Sequence, residues 1–440
     1  MKTALTLIIT LITLAWGWDA LVAGMPSGGA ALWVLRQEAL YFSGLLAIAL
    51  LSVAMFLATR PTWLEAPLGG MDRVYRTHKW AAILACVFAA LHWLTEMSSD
   101  ILKAIIGREG RVPKENFGGF IEVLRDLAKD FGEWAIYALL AMLAISLWRH
   151  FPYRGWRFLH RAMPVLYLML AFHALLLAPT GYWTQPVGVL LAVLIAGGVY
   201  GSVLSLSGRI GRSRQVRGSV VALDHPAADV LAVRCRLDAG WPGHRPGQFA
   251  FVSFDDSEGQ HPFTIASADH GDGEISFQIK ALGDYTRQLA RRLAVGQPVR
   301  IEGPYGRFDI ARQQRGAQQI WVAGGIGVTP FLAWLEAQQA GPADAPAADL
   351  HYCTRDRDGD PFVARLQALS AQLPGIRLYV HSARQGQQLG AEALAAAHDR
   401  ARPAEVWFCG PQGLADSLRK DLRELWQGRL RFHQEAFVMR

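Results

Sequence analysis

Residues 78–92 read HKWAAILACVFAALH, an apolar run that begins and ends with histidine. An imidazole buried among Ala, Leu and Val loses its water and must find a partner. The spacing suggests what that partner is. On an α-helix, 14 residues place His78 and His92 about 40° apart in phase and about 21 Å apart along the axis. Both then lie on one face, near opposite sides of a hydrocarbon core about 30 Å thick. A second run, HRAMPVLYLMLAFH, carries His160 and His173 13 residues apart. Four neutral imidazoles at two depths can form two axial pairs, the arrangement that six-coordinate haem iron requires. The second run resists an ideal helix, where 13 residues leave His160 and His173 about 140° out of phase. Pro164 lies between them, and a proline inside a helix frees the carbonyl four residues back and permits local rewinding.

Working outward, the chain of 440 residues is 52% hydrophobic and 18% charged, averages that conceal two unlike halves. To about residue 206 it is a series of long apolar runs, and spans are expected near 4–24, 33–57, 76–96, 133–149, 157–178 and 186–206. The first, behind Lys2, is read as a retained span rather than a cleaved signal peptide, because no small-residue cleavage site follows it. Three loops on one side carry Arg60, Arg73 and Arg76, then Arg149, Arg154 and Arg157, then four arginines in SGRIGRSRQVR. The 97–132 loop opposite is expected to hold an amphipathic helix, GGFIEVLRDLAKDF. Short basic loops stay in the cytoplasm, so the N-terminus and the second half belong inside, and both histidine runs cross outward. The net charge of +7 is accounted for by such loops. No basic stripe with interleaved aromatics points to nucleic acid. Cys86, Cys235, Cys353 and Cys409 form no CxxC pair, so neither a disulfide framework nor a structural zinc site is indicated.

Beyond residue 217 the pattern becomes short alternating strands: SVVALDH, VLAVRCRL, GQFAFVSF, EISFQIKA and QPVRIEGPYG, a small antiparallel barrel. HPFTIAS is expected between two of these strands, with Pro262 and Phe263 fixing the backbone beside a hydroxyl that can meet a flavin edge or phosphate. KALGDYTRQL then offers Lys280, Gly283 and Thr286 at a helix start, where exposed amides and the helix dipole suit a pyrophosphate. From residue 318, QQIWVAGG, DLHYCTR, IRLYVHSAR and EVWFCGP alternate with helices, the signature of a parallel sheet. In VAGGIGVTPF, Gly324, Gly325 and Gly327 let a ligand approach the backbone, Thr329 can cap the following helix and Pro330 suits its first turn. The run departs from GxGxxG. Cys409, Gly410 and Pro411 make a second strand-end turn, at the edge where open α/β sheets bind ligands. After the second strand of this sheet, Arg355 can pair with a 2′-phosphate. Asp356 and Asp358 stand close to it, and Arg384 is the next candidate.

These motifs resemble those of the ferredoxin reductase superfamily, through His261-Pro262-Phe263-Thr264, Gly325 to Phe331, and Cys409-Gly410-Pro411. With the paired histidines, the whole chain resembles the NADPH oxidase and ferric reductase family. The resemblance implies a membrane α-helical bundle (six TM helices), a small antiparallel β-barrel FAD domain and a Rossmann-like α/β NAD(P)-binding domain, with bounds at 1–210, 211–314 and 315–440. It implies two haem b groups on His78, His92, His160 and His173. FAD would be held by His261, Pro262, Phe263, Thr264, Ser267, Lys280, Gly283 and Thr286, with Phe437 stacked over the ring. NADPH, or NADH, would be held by Gly324, Gly325, Gly327, Val328, Thr329, Pro330, Arg355, Cys409, Gly410 and Pro411, with Phe437 and Cys409 nearest the chemistry. Flavin accepts two electrons as a hydride and releases them singly, so it belongs between nicotinamide and haem. The implied protein lies in membrane lipid, in the plasma (bacterial inner) membrane, with its nucleotide domains cytoplasmic. It would reduce an external acceptor: O2 giving superoxide, a ferric chelate, or a periplasmic redox partner. Animal oxidases place a further histidine four residues beyond the outer ligand of the third span. Here that residue is Glu96, and no partner protein is specified.

Overall fold

The computed structural model describes residues 2–23, 30–111, 117–148, 150–254, 259–341 and 346–435. Two compact units meet in sequence at Ile210 and Gly211.

The first unit is helical: α1 (Lys2–Ala23), α2 (Ala31–Leu57), a short α3 (Glu65–Leu68), α4 (Met71–Ile106), α5 (Phe120–Leu147), α6 (Tyr153–His160), α7 (Met163–Leu177) and α8 (Pro186–Leu206). Counting α6 and α7 as one segment, six stretches among the described residues are long and apolar enough to cross a membrane. The segment expected as a separate amphipathic helix in the 97–132 loop is instead the opening of α5, continuous with the apolar run after it. Gly132 is the one weak helix former at that junction, and a single glycine costs only about 1 kcal/mol, so nothing breaks the helix. The fifth span, by contrast, is broken at Arg161 and Ala162. The Ala162 amide bonds Leu159 three residues back, and Pro164 lies in the first turn of α7.

Small residues set how closely these helices approach. A Cβ on Gly201 would lie 2.5 Å from the Met55 carbonyl oxygen, so α8 meets α2 backbone to backbone. Gly198 leaves room for the Tyr167 hydroxyl, which is fully buried, 2.8 Å from Ser52 Oγ, and donates to the Ile195 carbonyl at 3.2 Å. A phenol buried in an apolar bundle needs these partners.

The second unit opens with a six-stranded antiparallel sheet ordered β4-β3-β6-β1-β2-β5. Its strands are β1 (Gln215–Ala227), β2 (Val230–Leu237), β3 (Phe249–Ser253), β4 (His261–Thr264), β5 (Glu274–Lys280) and, after α9 (Asp284–Arg292), β6 (Pro298–Tyr305). A bridge between Ile265 and Phe277 brings the two edges together around a core that includes Val233, Val252, Phe277 and Ile301. HPFT does not lie between strands, as its sequence suggested, but is itself β4. It pairs with β3 so that Thr264 faces Phe249 and His261 faces Val252. The backbone groups at the edge of β3 need partners, and β4 supplies them.

A parallel sheet ordered β11-β10-β7-β8-β9 follows. Its elements are β7 (Gln318–Gly324), α10 (Thr329–Gln338), β8 (Ala348–Thr354), α11 (Pro361–Ser370), β9 (Ile376–Ser382), α12 (Ala391–Ala397), β10 (Ala404–Cys409), α13 (Gln412–Leu425) and β11 (Leu430–Glu435). The strand β11 was not expected from sequence. Only Leu430 and Phe432 among its residues are apolar, both on the face that packs onto the sheet's core, and a strand this short with two apolar positions carries little pattern of its own. Barrel and sheet share one aromatic core. Phe308 stacks on Trp334 at 4.9 Å and 12°, and the Trp334 indole donates to the Pro246 carbonyl at 2.9 Å.

Candidate functional site

In the helical unit the four histidines meet in two pairs. His78 faces His160 with ring centres 6.3 Å apart and planes at 79°. His92 faces His173 at 6.2 Å and 87°. Both members on α4 belong to one unbroken helix, so the pairs lie about 21 Å apart along it. The break between α6 and α7 accommodates the phase that an ideal helix could not, since His160 ends one helix and His173 sits inside the next.

Three of the rings are fixed by main-chain carbonyls. His78 Nδ1 lies 2.8 Å from the Ala54 oxygen and His92 Nδ1 2.9 Å from that of Leu40, both on α2. His173 Nδ1 lies 2.7 Å from the Ala128 oxygen on α5. A carbonyl only accepts, so Nδ1 carries the proton and Nε2 keeps its lone pair for a metal. Glycines make the space: a Cβ on Gly132 would fall 2.3 Å from His173 Nδ1, and one on Gly44 2.8 Å from His92 Nδ1. Two imidazoles sharing one metal ion at about 2 Å per bond would have ring centres about 6 to 6.5 Å apart, which both pairs satisfy. Each pair offers two ligands, a donor set that suits a metal whose remaining ligands come with the group itself, as they do in a porphyrin. The residues fit haem.

In the second unit, His261 stacks on Tyr285 at 3.9 Å and 9°, and Phe263 packs among Phe254 and Phe277. Thr264 is buried at the end of β4. Other expected ligands already have partners. The Ser267 hydroxyl accepts from the Ser276 amide at 3.1 Å, and Lys280 pairs with Asp229 at 3.3 Å. Thr286 Oγ1 accepts from the amides of Leu282 and Gly283, each at 3.0 Å. Thr286 thus shapes the start of α9 and takes up the Gly283 amide.

The two strand-end turns of the parallel sheet press together. A Cβ on Gly327 would lie 2.2 Å from the Cys409 oxygen, one on Gly324 2.6 Å from Pro411 Cδ, and one on Gly410 3.0 Å from the Gly324 amide. Gly325 has φ +54, a conformation glycine adopts without strain. Thr329 does not cap α10 as expected. Its buried hydroxyl donates to the Ile326 carbonyl at 2.6 Å, and Val328 occupies the cap position without a side-chain bond. Thr329 thus stands one position inside the helix rather than at its cap. Pro330 lies in the first turn.

Cys409 is buried beside Glu435, its register partner on β11. Burial, then the carboxylate, push its thiol well above the ordinary range, so it lines the site as a neutral thiol. Glu435 was missed by sequence reasoning because β11 was missed. Its buried carboxylate also lies 3.1 Å from where a Gly306 Cβ would be. Phe437 lies outside the described residues. At the end of β8, Asp356 pairs with Arg384, while the Arg384 amide donates to the Arg355 carbonyl at 3.0 Å. Of the two acids expected to repel a phosphate beside Arg355, Asp356 and Asp358, the first is thus engaged in an ion pair.

Comparison with known proteins agrees with these parts. Residues 43–171 match the family described as ferric reductase like transmembrane component, and residues 215–309 match an FAD-binding domain. A superoxide-generating NADPH oxidase heavy chain of Dictyostelium discoideum is 26% identical over 222 residues, covering 46% of this chain and 40% of that protein. Human dual oxidase 2 is 26% identical over 303 residues, covering 60% and 18%. The ferredoxin–NAD(P)(+) reductase component of a naphthalene 1,2-dioxygenase/salicylate 5-hydroxylase system from Ralstonia sp is 31% identical over 170 residues, covering 38% and 50%. The chain thus spans about half the length of that reductase, and less of the two oxidases. Among solved structures, the flavohemoglobin of Malassezia yamatoensis matches with TM-score 0.50 and 15% identity over 93% of this chain and 100% of that one, a likeness of fold alone. The chain joins a ferric reductase-type transmembrane domain to an FAD-binding domain and a Rossmann-like parallel sheet, and it is homologous to NADPH oxidases and ferredoxin reductases.

Proposed function

We propose that this chain is a transmembrane oxidoreductase that carries electrons from cytosolic NAD(P)H to an acceptor on the far side of the plasma (bacterial inner) membrane. The observation that carries this reading is the pair of histidine pairs. Both have the separation one shared metal ion requires, and they sit in the same chain as a flavin barrel and a nucleotide sheet. Haem and FAD, when bound, supply one-electron carriage and conversion of a hydride into single electrons. The residues of the chain hold and order them. His78 with His160 takes the inner haem and His92 with His173 the outer. The start of α9 receives the flavin pyrophosphate, and the paired glycine turns admit NAD(P)H. Positions 1–210, 211–314 and 315–440 divide these tasks. Arg355 and Arg384 favour NADPH over NADH.

Oxygen, reduced to superoxide, is the acceptor most consistent with the oxidase relatives. A ferric chelate is the second reading, favoured by one observation. At the outer end of α4, Glu96 is bound by Arg36 through both its carboxylate, at 2.7 Å, and its carbonyl, at 2.8 Å. By the resemblance drawn from sequence, Glu96 takes the position of a histidine in animal oxidases. The test is NADPH-dependent cytochrome c reduction by purified, FAD-loaded protein, with and without superoxide dismutase. Inhibition by the dismutase is expected. Resistance, together with ferric chelate reduction, would establish the second reading. Absence of NAD(P)H oxidation with any acceptor would end both.

A further inference from the structure

The four imidazoles are not held alike. Three present Nδ1 to a main-chain carbonyl, at Ala54, Leu40 and Ala128. His160 does not. Its Nδ1 is buried, and among the described residues no protein acceptor reaches it. The indole of Trp156 lies against the ring instead, with centres 4.9 Å apart and planes 20° from parallel. Trp156 is four residues earlier on α6, hence on the same helix face, and its own N–H is tied to Ser146 Oγ on α5 at 3.0 Å. The stack is therefore anchored to a neighbouring helix rather than left to rotate.

We propose that Trp156 is the positioning residue for His160, and that His160 is in consequence the weakest donor of the four histidines toward a bound haem iron. This rests on the axial-ligand reading given above. A hydrogen bond from Nδ1–H to an oxygen fixes the plane of an imidazole and also raises the electron density at Nε2. Stacking fixes the plane but leaves Nε2 the poorer donor. A poorer donor stabilises the ferric state less. The haem between His78 and His160 is then the more easily reduced, and the one between His92 and His173, with both ligands hydrogen-bonded, the less easily. The two halves of the bundle thus differ by one contact, and that contact is supplied by a side chain.

Two measurements on the purified full-length protein test this. In the first, redox titration of the reduced-haem absorbance is carried out on His92→Ala, which keeps the first haem, and on His78→Ala, which keeps the second. The higher midpoint potential is expected in His92→Ala, and equal or reversed midpoints overturn the proposal. In the second, electron paramagnetic resonance of the ferric haems is recorded for Trp156→Leu and Trp156→Phe. The g-values of a low-spin haem follow the angle between its ligand planes. Trp156→Leu is expected to shift one of the two signals, and Trp156→Phe, which keeps a stacking ring but lacks the N–H that Ser146 holds, to shift the same signal by less. An unshifted spectrum in Trp156→Leu overturns the positioning role. The second signal serves as the internal control for folding, and if it too is lost the titrations decide alone. A protein that binds no haem in any variant overturns the axial-ligand reading itself, a result distinct from equal midpoints.

Discussion

At Gly132 one methyl group decides whether a ring can sit in the bundle. A Cβ there would lie 2.3 Å from His173 Nδ1, against 2.8 Å at Gly44 beside His92. The contacting atoms belong to imidazoles held on carbonyls, so neither can swing aside without losing that bond. Gly132→Ala should cost the second haem while leaving the first and the flavin, with Gly44→Ala milder in the same direction. The haem-to-flavin ratio of the purified protein measures this, and an unchanged ratio in Gly132→Ala would remove His173 as a ligand. The Arg384–Asp356 pair makes a second residue-scale prediction. Arg384→Ala removes a partner for the 2′-phosphate and leaves Asp356 to repel it. A charge-assisted bond is worth about 1.5–3 kcal/mol, so the Michaelis constant for NADPH should rise by about tenfold or more, while that for NADH stays within about twofold. An equal rise for both nucleotides would show that the pair does not read the phosphate.

At the scale of elements, the fifth span works because it is broken. Proline has no N–H to donate, and its ring disfavours the helical carbonyl four residues back, which for Pro164 is that of His160. Pro164→Ala would restore the donor and let α6 run on into α7. His160 would then turn toward the phase that leaves it far from His78. Loss of the first haem with retention of the second is expected, read from the reduced spectrum. The glycine turns at the ends of β7 and β10 behave in the opposite sense, because they must not change shape at all. A Cβ on Gly327 would push 2.2 Å from the Cys409 carbonyl oxygen, and carbonyls at strand ends cannot yield as side chains can. Gly327→Ala should therefore slow flavin reduction by NAD(P)H at least about tenfold, roughly the effect of a 1 Å misplacement or less, with FAD content unchanged. Stopped-flow reduction under anaerobic conditions checks it.

At the scale of the whole molecule the two units answer to different solvents. The helical unit turns apolar side chains such as Leu21, Trp134 and Phe158 outward, as lipid allows. The second unit buries its polar groups in networks, and one of them contributes to its acid sensitivity. His351 is 5% exposed on β8. Its Nδ1 lies 3.0 Å from His381 Nε2 and its ring is stacked on Tyr379. Burial first, then His381, His398 and Arg377, push its pKa down to about 3, whereas Asp349 is taken up by Arg377 and His398. In the unfolded chain the same histidine binds a proton near pH 6.5. Between those values the unfolded state holds more protons, so stability is full above about pH 6.5 and declines as pH falls toward about 3. The unfolding midpoint of the nucleotide module, followed in the full-length protein by flavin release, should drop between pH 7.5 and pH 5. His351→Phe should flatten that slope, and an unchanged slope would place the sensitivity elsewhere.

The sequence by itself determined the periodicities. Six apolar runs, alternating strands, then strands interleaved with helices are local patterns, fixed by how often a side chain must face lipid or core. The spacing of His78 and His92 was legible because α4 is one uninterrupted helix. What only the tertiary structure decided lies where two distant segments meet. That Gly44 and Gly132 exist to admit imidazoles depends on α2 and α5 crossing them. That Asp356 is paired depends on Arg384, 28 residues on, and Glu435 reaches Cys409 only once β11 joins β10. Thr286 and Thr329 are turned to their own turns by hydrogen bonds that composition does not encode. A helix or strand repeats its own geometry and so announces itself along the chain. A contact between elements depends on their crossing angles and on the few side chains at the crossing, and those are settled only when the whole chain has packed.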